Sequence, residues 1–230
     1  MILEKIRFAG KLIVMSPELT LELLQTEAKE FSTSQSLLHE MSLYGVTDGK
    51  AVGTHIEAKF VNHLFERYRF AKGNAAKGVD LPSINLDIKV TSVKQPQSSS
   101  PFRSARQKIF GLGYSLLVFV YEKTDDQKRK TSNLNILHTI FVAAERTADF
   151  TMTRSLLEII KVGGNQQDLV ALMFDRNLPL DEIEAGTIAL ELLGKPPLQG
   201  YLTISNALQW RLQYARVIQE AGQVEGLVRL

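Results

Sequence analysis

Asp80, Asp87 and Lys89 are the residues of this chain whose types and spacing best suit chemistry. In the run Asp80-Leu81-Pro82-Ser83-Ile84-Asn85-Leu86-Asp87-Ile88-Lys89, strand alternation sends Ile84, Leu86, Ile88 and Val90 one way. Asn85, Asp87, Lys89 and Thr91 then point the other way. Two acids and a lysine gathered in so short a run suggest a site that binds divalent cations, the chemistry of phosphodiester cleavage. Taken singly, Asp80 also reads as a turn residue before Pro82, and Asp87 with Lys89 as an exposed ion pair.

The composition narrows the metal. The chain has no cysteine and four scattered histidines, so thiolate sites are excluded and little remains for zinc. Oxygen ligands favour hard ions such as Mg²⁺ or Mn²⁺.

A third acid points inward from a neighbouring element. On a helix over 54–70, with about 100° per residue, Ile56, Phe60, Leu64, Tyr68, Val61 and Phe65 sweep an apolar arc and Glu57 falls in its middle. A carboxylate there is costly to bury without a cation or strong donors. Thr54-His55-Ile56-Glu57 also fits a capping box, with Thr54 as N-cap.

After the acidic run, Lys94, Arg103, Arg106 and Lys108 follow with no acid between them. This local charge could face a polyanion, although the net charge of +2 is far from that of a dedicated nucleic-acid binder. A solvated loop is the competing reading. Gln95, Gln97 and Ser99 in the same segment are of types that read base edges and phosphates. The Asp48–Lys50 turn is a weaker candidate for such contacts.

The elements that position these residues read as follows. Residues 1–43 are mostly helical, started at Ser16-Pro17-Glu18, with leucines at 19, 21, 23 and 24 forming an apolar stripe. A turn-rich stretch, Gly45 to Gly53, precedes the helix at 54. Two short strands broken at Pro82 come next, and the second carries Asp87 and Lys89. Residues 94–101 form a polar surface loop, and 102–110 a short basic helix stopped by Gly111 and Gly113. Tyr114–Tyr121 is an apolar strand covered on both faces, and a further strand runs over 134–143. Helices follow at 152–162, 166–176, 180–193 and 204–220. Residues 202–216, which overlap the last of these, are a candidate recognition helix, more simply a packing element through Leu208, Leu212 and Ala215.

With 230 residues and 44% hydrophobic content, one compact unit is expected. Its parts would be an N-terminal helical region at 1–50, a catalytic core at 51–145 and a C-terminal helical region at 146–230. No apolar run approaches the roughly 18 residues of a membrane span, and the N-terminus does not read as a signal peptide, so a cytoplasmic protein without membrane partners is expected.

Glu57 on a helix, then Asp80, then Asp87-Ile88-Lys89 on the next strand resembles the PD-(D/E)XK nuclease superfamily, and within it the type II restriction endonucleases. The resemblance covers about residues 54–142. Val79 stands where the superfamily's name has proline, and Asp stands where Glu is frequent. Gln107 occupies a helix that carries glutamine in several relatives, but Gly111 stands where the exonuclease branch has tyrosine.

The resemblance implies an α/β, restriction-endonuclease-like core, a mixed β-sheet flanked by helices, with additional N- and C-terminal helices. It implies metal ligation by Asp80, Asp87, the Ile88 carbonyl and Glu57, catalysis by these acids with Lys89, and Mg²⁺ as cofactor with Mn²⁺ able to substitute. DNA contacts would come from Lys94, Gln95, Gln97, Ser99, Arg103, Arg106 and Gln107. The implied partners are double-stranded DNA, a second copy of the chain and a cognate DNA methyltransferase. Two other readings stay open: a repair or junction-resolving nuclease of the same fold, and a non-catalytic DNA-binding protein.

Overall fold

A computed structural model describes residues 4–8, 11–71, 73, 79–101, 103–205 and 210–230, with the backbone alone over 4–8 and 11–15. The chain divides into two compact units, one of residues 1–94, 117–139 and 230, the other of 95–116 and 140–229.

The first unit opens on an antiparallel hairpin, β1 (Glu4–Phe8) with β2 (Lys11–Met15), where helix was expected. Helix begins only at α1 (Leu21–Ser36), because Thr20 caps it by accepting from the Leu23 N–H at 3.3 Å. Two-residue β3 (His39–Glu40) leads to α2 (Gly49–Phe65). The start of α2 corrects the sequence reading. Asp48, not Thr54, is the N-cap, accepting from the N–H groups of Lys50 and Ala51 at 3.1 and 3.2 Å, so the expected turn is the first helical turn.

Phe31 of α1 and Phe60 of α2 lie with ring centres 5.1 Å apart, and both meet Phe119. That cluster ties the two helices to the apolar strand that carries Phe119. Buried Glu27 is satisfied by the Tyr68 hydroxyl at 2.7 Å and by His63 Nε2 at 2.6 Å.

The sheet of this unit is built from β4 (Leu86–Ser92), β6 (Ser115–Asp126) and β7 (Thr131–Val142), with β3 paired to β7. As expected, the first seven residues of β6 are buried on both faces. Helix α2 lies on β4 at Gly53, where an added Cβ would sit 3.7 Å from the Val90 carbonyl. The α/β core with a sheet flanked by helices is the restriction-endonuclease-like arrangement that the resemblance implies.

The second unit holds α3 (Arg106–Phe110), α4 (Phe150–Lys161), α5 (Gln166–Asp175) and α6 (Glu182–Gly194). They share a core that includes Ile109, Leu156, Met173 and Ile188. The expected positions of α4, α5 and α6 hold. Of the expected helix at 102–110 only the last turn and a half forms, and Phe102 lies outside the described residues.

The expected helix over 204–220 does not form. Its described part is β8 (Thr203–Ile204), β9 (Trp210–Gln213) and α7 (Ala215–Glu220), while Leu208 lies outside the described residues. Trp210 and Leu212 are buried while Arg211 and Gln213 are exposed, a period of two that a strand satisfies and a helix does not. The polar loop at 94–101 is also corrected, since β5 (Gln97–Ser100) pairs antiparallel with β9 in the order β5-β9-β8. The last residues of β7, Ile140–Val142, pair with β10 (Leu227–Arg229).

Candidate active site

Asp80 and Asp87 are joined by a closed turn rather than by two strands. Leu81 and Leu86 exchange backbone hydrogen bonds, Leu81 N to Leu86 O at 2.9 Å and Leu86 N to Leu81 O at 3.2 Å. Between them Pro82–Ile84 form one 3₁₀ turn, and Asn85 closes it at φ +50°, a conformation that asparagine tolerates better than most residues. The residues that flank the closing pair are therefore brought side by side, and these are Asp80 and Asp87.

Two further contacts fix Asp80. Its Oδ2 accepts from the Ile88 N–H at 2.8 Å, and its carbonyl accepts from the Gly73 N–H at 2.9 Å. The Gly73 backbone comes so close that a Cβ there would lie 2.1 Å from the Val79 carbonyl oxygen and 2.8 Å from that of Asp80. Only glycine fits.

Asp87 is 3% exposed, so the face expected to be open is covered. Its Oδ2 pairs with Lys89 Nζ at 2.7 Å, two residues along the same face of β4, as the alternation requires. Burial pushes the Asp87 carboxyl up from 3.8 to about 7, the Lys89 charge opposes that rise, and the Asp80 carboxyl at hydrogen-bonding distance adds to it. Two carboxyls this close cannot both ionise comfortably without a proton or a cation between them.

The donor set fits a hard divalent cation on these grounds. Asp80 and Asp87 are oxygen ligands whose mutual repulsion a cation would relieve, and the turn presents them together.

Glu57 is half-buried on α2 and lies well inside the helix, which removes the capping-box alternative. It continues the row of Gly49 and Gly53, which face Tyr121 and Val90 respectively. Among the described residues, however, no three acids or histidines are gathered as a ready metal site, so Glu57 is not brought into one group with Asp80 and Asp87.

The expected DNA-contact residues are spread in character. Lys94, Gln95, Ser99 and Arg103 are exposed, and Gln97 is half-buried. Arg106 is held by Glu191 Oε2 at 2.5 Å and stacks 4.7 Å from the centre of the Phe110 ring. Gln107 and Lys108 depart from the expectation of surface contacts, because both are buried. Gln107 Nε2 donates to the Leu112 carbonyl at 3.3 Å, and burial lowers the Lys108 ammonium while the Asp149 charge opposes that shift.

Sequence reasoning did not single out Gly73 or Asn85. Their signal was only a Gly/Asn-rich loop and an asparagine before the strand, both common in turns. Nor did it reach Arg211 and Gln213, which were placed on a helix.

Residues 18–229 match the family described as "Type II restriction enzyme NspV". The chain is 63% identical over 210 residues to the type II restriction enzyme NspV of Nostoc sp. (strain ATCC 29411 / PCC 7524), covering 91% of this chain and 96% of that protein. No solved structure matches the chain. The family match over residues 18–229 and the 63% identity across 91% of the chain place it in the NspV family of type II restriction enzymes.

Proposed function

We propose that this protein is a type II restriction endonuclease that hydrolyses the phosphodiester bonds of double-stranded DNA at a short specific sequence, with Mg²⁺ held by Asp80, Asp87 and the Ile88 carbonyl. The observation that carries the site assignment is the Asp80–Asp87 pair beside Lys89, with Asp87 buried and Asp80 tied to the Ile88 N–H.

In this reading water attacks phosphorus, the bond to O3′ breaks, and the products carry 5′-phosphate and 3′-hydroxyl ends. A divalent cation bound at the pair supplies positive charge to the phosphate oxygens and acidity to a bound water. Asp80 and Asp87, with the Ile88 carbonyl, would hold that ion beside the scissile phosphate. Lys89, steered by its bond to Asp87 Oδ2, directs an N–H toward the attacking water and offsets charge on the pentacovalent phosphorus. Glu57, on the helix packed against β4, supports the Lys89 side of the site.

Lys94, Gln95, Gln97, Ser99 and Arg103 contribute DNA contacts. A palindromic target would be met by a homodimer, and a cognate methyltransferase would protect host DNA. Among the described residues no helix is long and apolar enough to cross a membrane, and an enzyme that restricts invading DNA would work in the cytoplasm.

The test is incubation of the protein with unmethylated phage DNA, in Mg²⁺ and in EDTA. Discrete Mg²⁺-dependent fragments are expected, with cut ends that give the target. Intact DNA in both lanes overturns the reading, and cutting confined to branched substrates replaces it with a junction nuclease.

A further inference from the structure

We propose that the solvent face of the small sheet β5-β9-β8 reads base edges in the DNA major groove, with Arg211 and Gln213 as its principal reading residues. The proposal deepens the restriction-endonuclease reading and rests on it.

The sheet is polarised by its register. Gln97 of β5 faces Gln213 of β9, which faces Thr203 of β8, and Ser99 faces Arg211. These five side chains share one face, with Ser99, Thr203, Arg211 and Gln213 exposed and Gln97 half-buried. The opposite face carries Trp210, Leu212 and Ile204, all buried, together with Ser98, whose hydroxyl meets the Tyr214 hydroxyl at 2.5 Å. The ten residues of the three strands contain one arginine and no acid.

Chemistry selects DNA bases for this face. Arginine forks onto O6 and N7 of guanine, and glutamine pairs with N6 and N7 of adenine, while serine and threonine accept either. A two-stranded antiparallel ribbon fits the roughly 12 Å width of the major groove, and β9 with β5 supplies one that carries both Arg211 and Gln213. The two rows of side chains lie two residues apart along the strand, about 6.8 Å, which is about two base steps of 3.4 Å each.

The platform is also fixed. The Arg211 N–H donates to Ser205 Oγ at 3.0 Å and its carbonyl accepts from the Ser205 N–H at 3.1 Å, while the Tyr214 N–H donates to the Pro96 carbonyl at 2.8 Å. A reading group on a strand so pinned is held more closely than one on a loop.

The test uses Arg211→Ala and Gln213→Ala in the full chain, checked by thermal melting, and duplexes that carry the target found by end sequencing. Each variant is expected to melt as the wild type does. Each should lower kcat/KM on the target by about 5- to 150-fold, the range of one bidentate base contact. Placing 7-deazaguanine at one target position removes N7 and leaves O6, so it should slow the wild type by a smaller factor than Arg211→Ala does and leave that variant unaffected.

If the wild type makes no discrete fragments, the endonuclease reading fails and this proposal with it. If the wild type cuts discretely while both variants cut the target at its rate, this proposal alone is overturned. Equal losses on target and single-mismatch duplexes also overturn it, since they mark a phosphate contact.

Discussion

The Ile88 N–H donates to Asp80 Oδ2 at 2.8 Å, so the first acid of the pair is anchored to the strand that carries the second. Asp80 thus has a structural duty beside the chemical one proposed for it, and substitutions can separate them. Asp80→Ala should lose cleavage by about 10³-fold and stability by about 1–3 kcal/mol, because the Ile88 N–H is left unpaired. Asp80→Asn keeps an oxygen for that N–H and should melt near the wild type while losing cleavage as fully. Thermal melts beside single-turnover cleavage decide it, and an active Asp80→Asn enzyme would remove Asp80 from the site.

The raised carboxyl of Asp87 makes a pH prediction. A carboxyl near 7 when folded and near 3.8 when unfolded keeps its proton in the native state over the range where the unfolded chain has lost it. In the metal-free protein this residue therefore lowers stability progressively as pH rises from about 4 to about 7. A divalent ion needs the deprotonated pair, so Mg²⁺ should raise Tm more at pH 8 than at pH 6. Melts with Mg²⁺ and with EDTA at both values test this, and an equal shift at the two pH values would sink it.

Gly73→Ala introduces a methyl group 2.1 Å from the Val79 carbonyl oxygen, and backbone cannot yield there as a flexible side chain could. The segment that carries Asp80 must move. Stability should fall by about 1–3 kcal/mol, and cleavage should fall with it even at temperatures where the variant is fully folded. Circular dichroism and initial rates on the same preparation measure both.

Asp48→Ala removes the cap of α2 and should cost about 1 kcal/mol, seen as a lower Tm, with kcat on the target unchanged. Thr54→Ala, at the alternative cap position, should leave Tm close to that of the wild type.

The sequence made the centre of the site legible because both of its links are local. Asp87 and Lys89 share a strand face by simple alternation, and Asp80 reaches them through a tight local turn of which Pro82 was the only signal read. The long strand β6 and helices α4, α5 and α6 were legible through length and apolar pattern. Where two signals competed, the reading failed. Asp48 and Thr54 are both good caps, and only packing of Gly49 and Gly53 against Tyr121 and Val90 decides for the first.

The first hairpin was obscured by the leucine-rich helix that follows it. Strand β5 has the sequence QSSS, which has little strand preference of its own and gains its form from pairing with β9. Strand β9 is four residues flanked by helix-like sequence, too short for its alternation to stand out. Glu57 was legible as inward-pointing, yet its distance in sequence from Asp80 left its grouping to tertiary packing.

The register of β9 bears on how target preference could change over time. Adding or deleting one residue there would turn Trp210 and Leu212 outward and bury Arg211 and Gln213, destroying the platform together with its reading face. New specificities in this lineage would then arise by exchange of side chains at every second position, with strand length held constant.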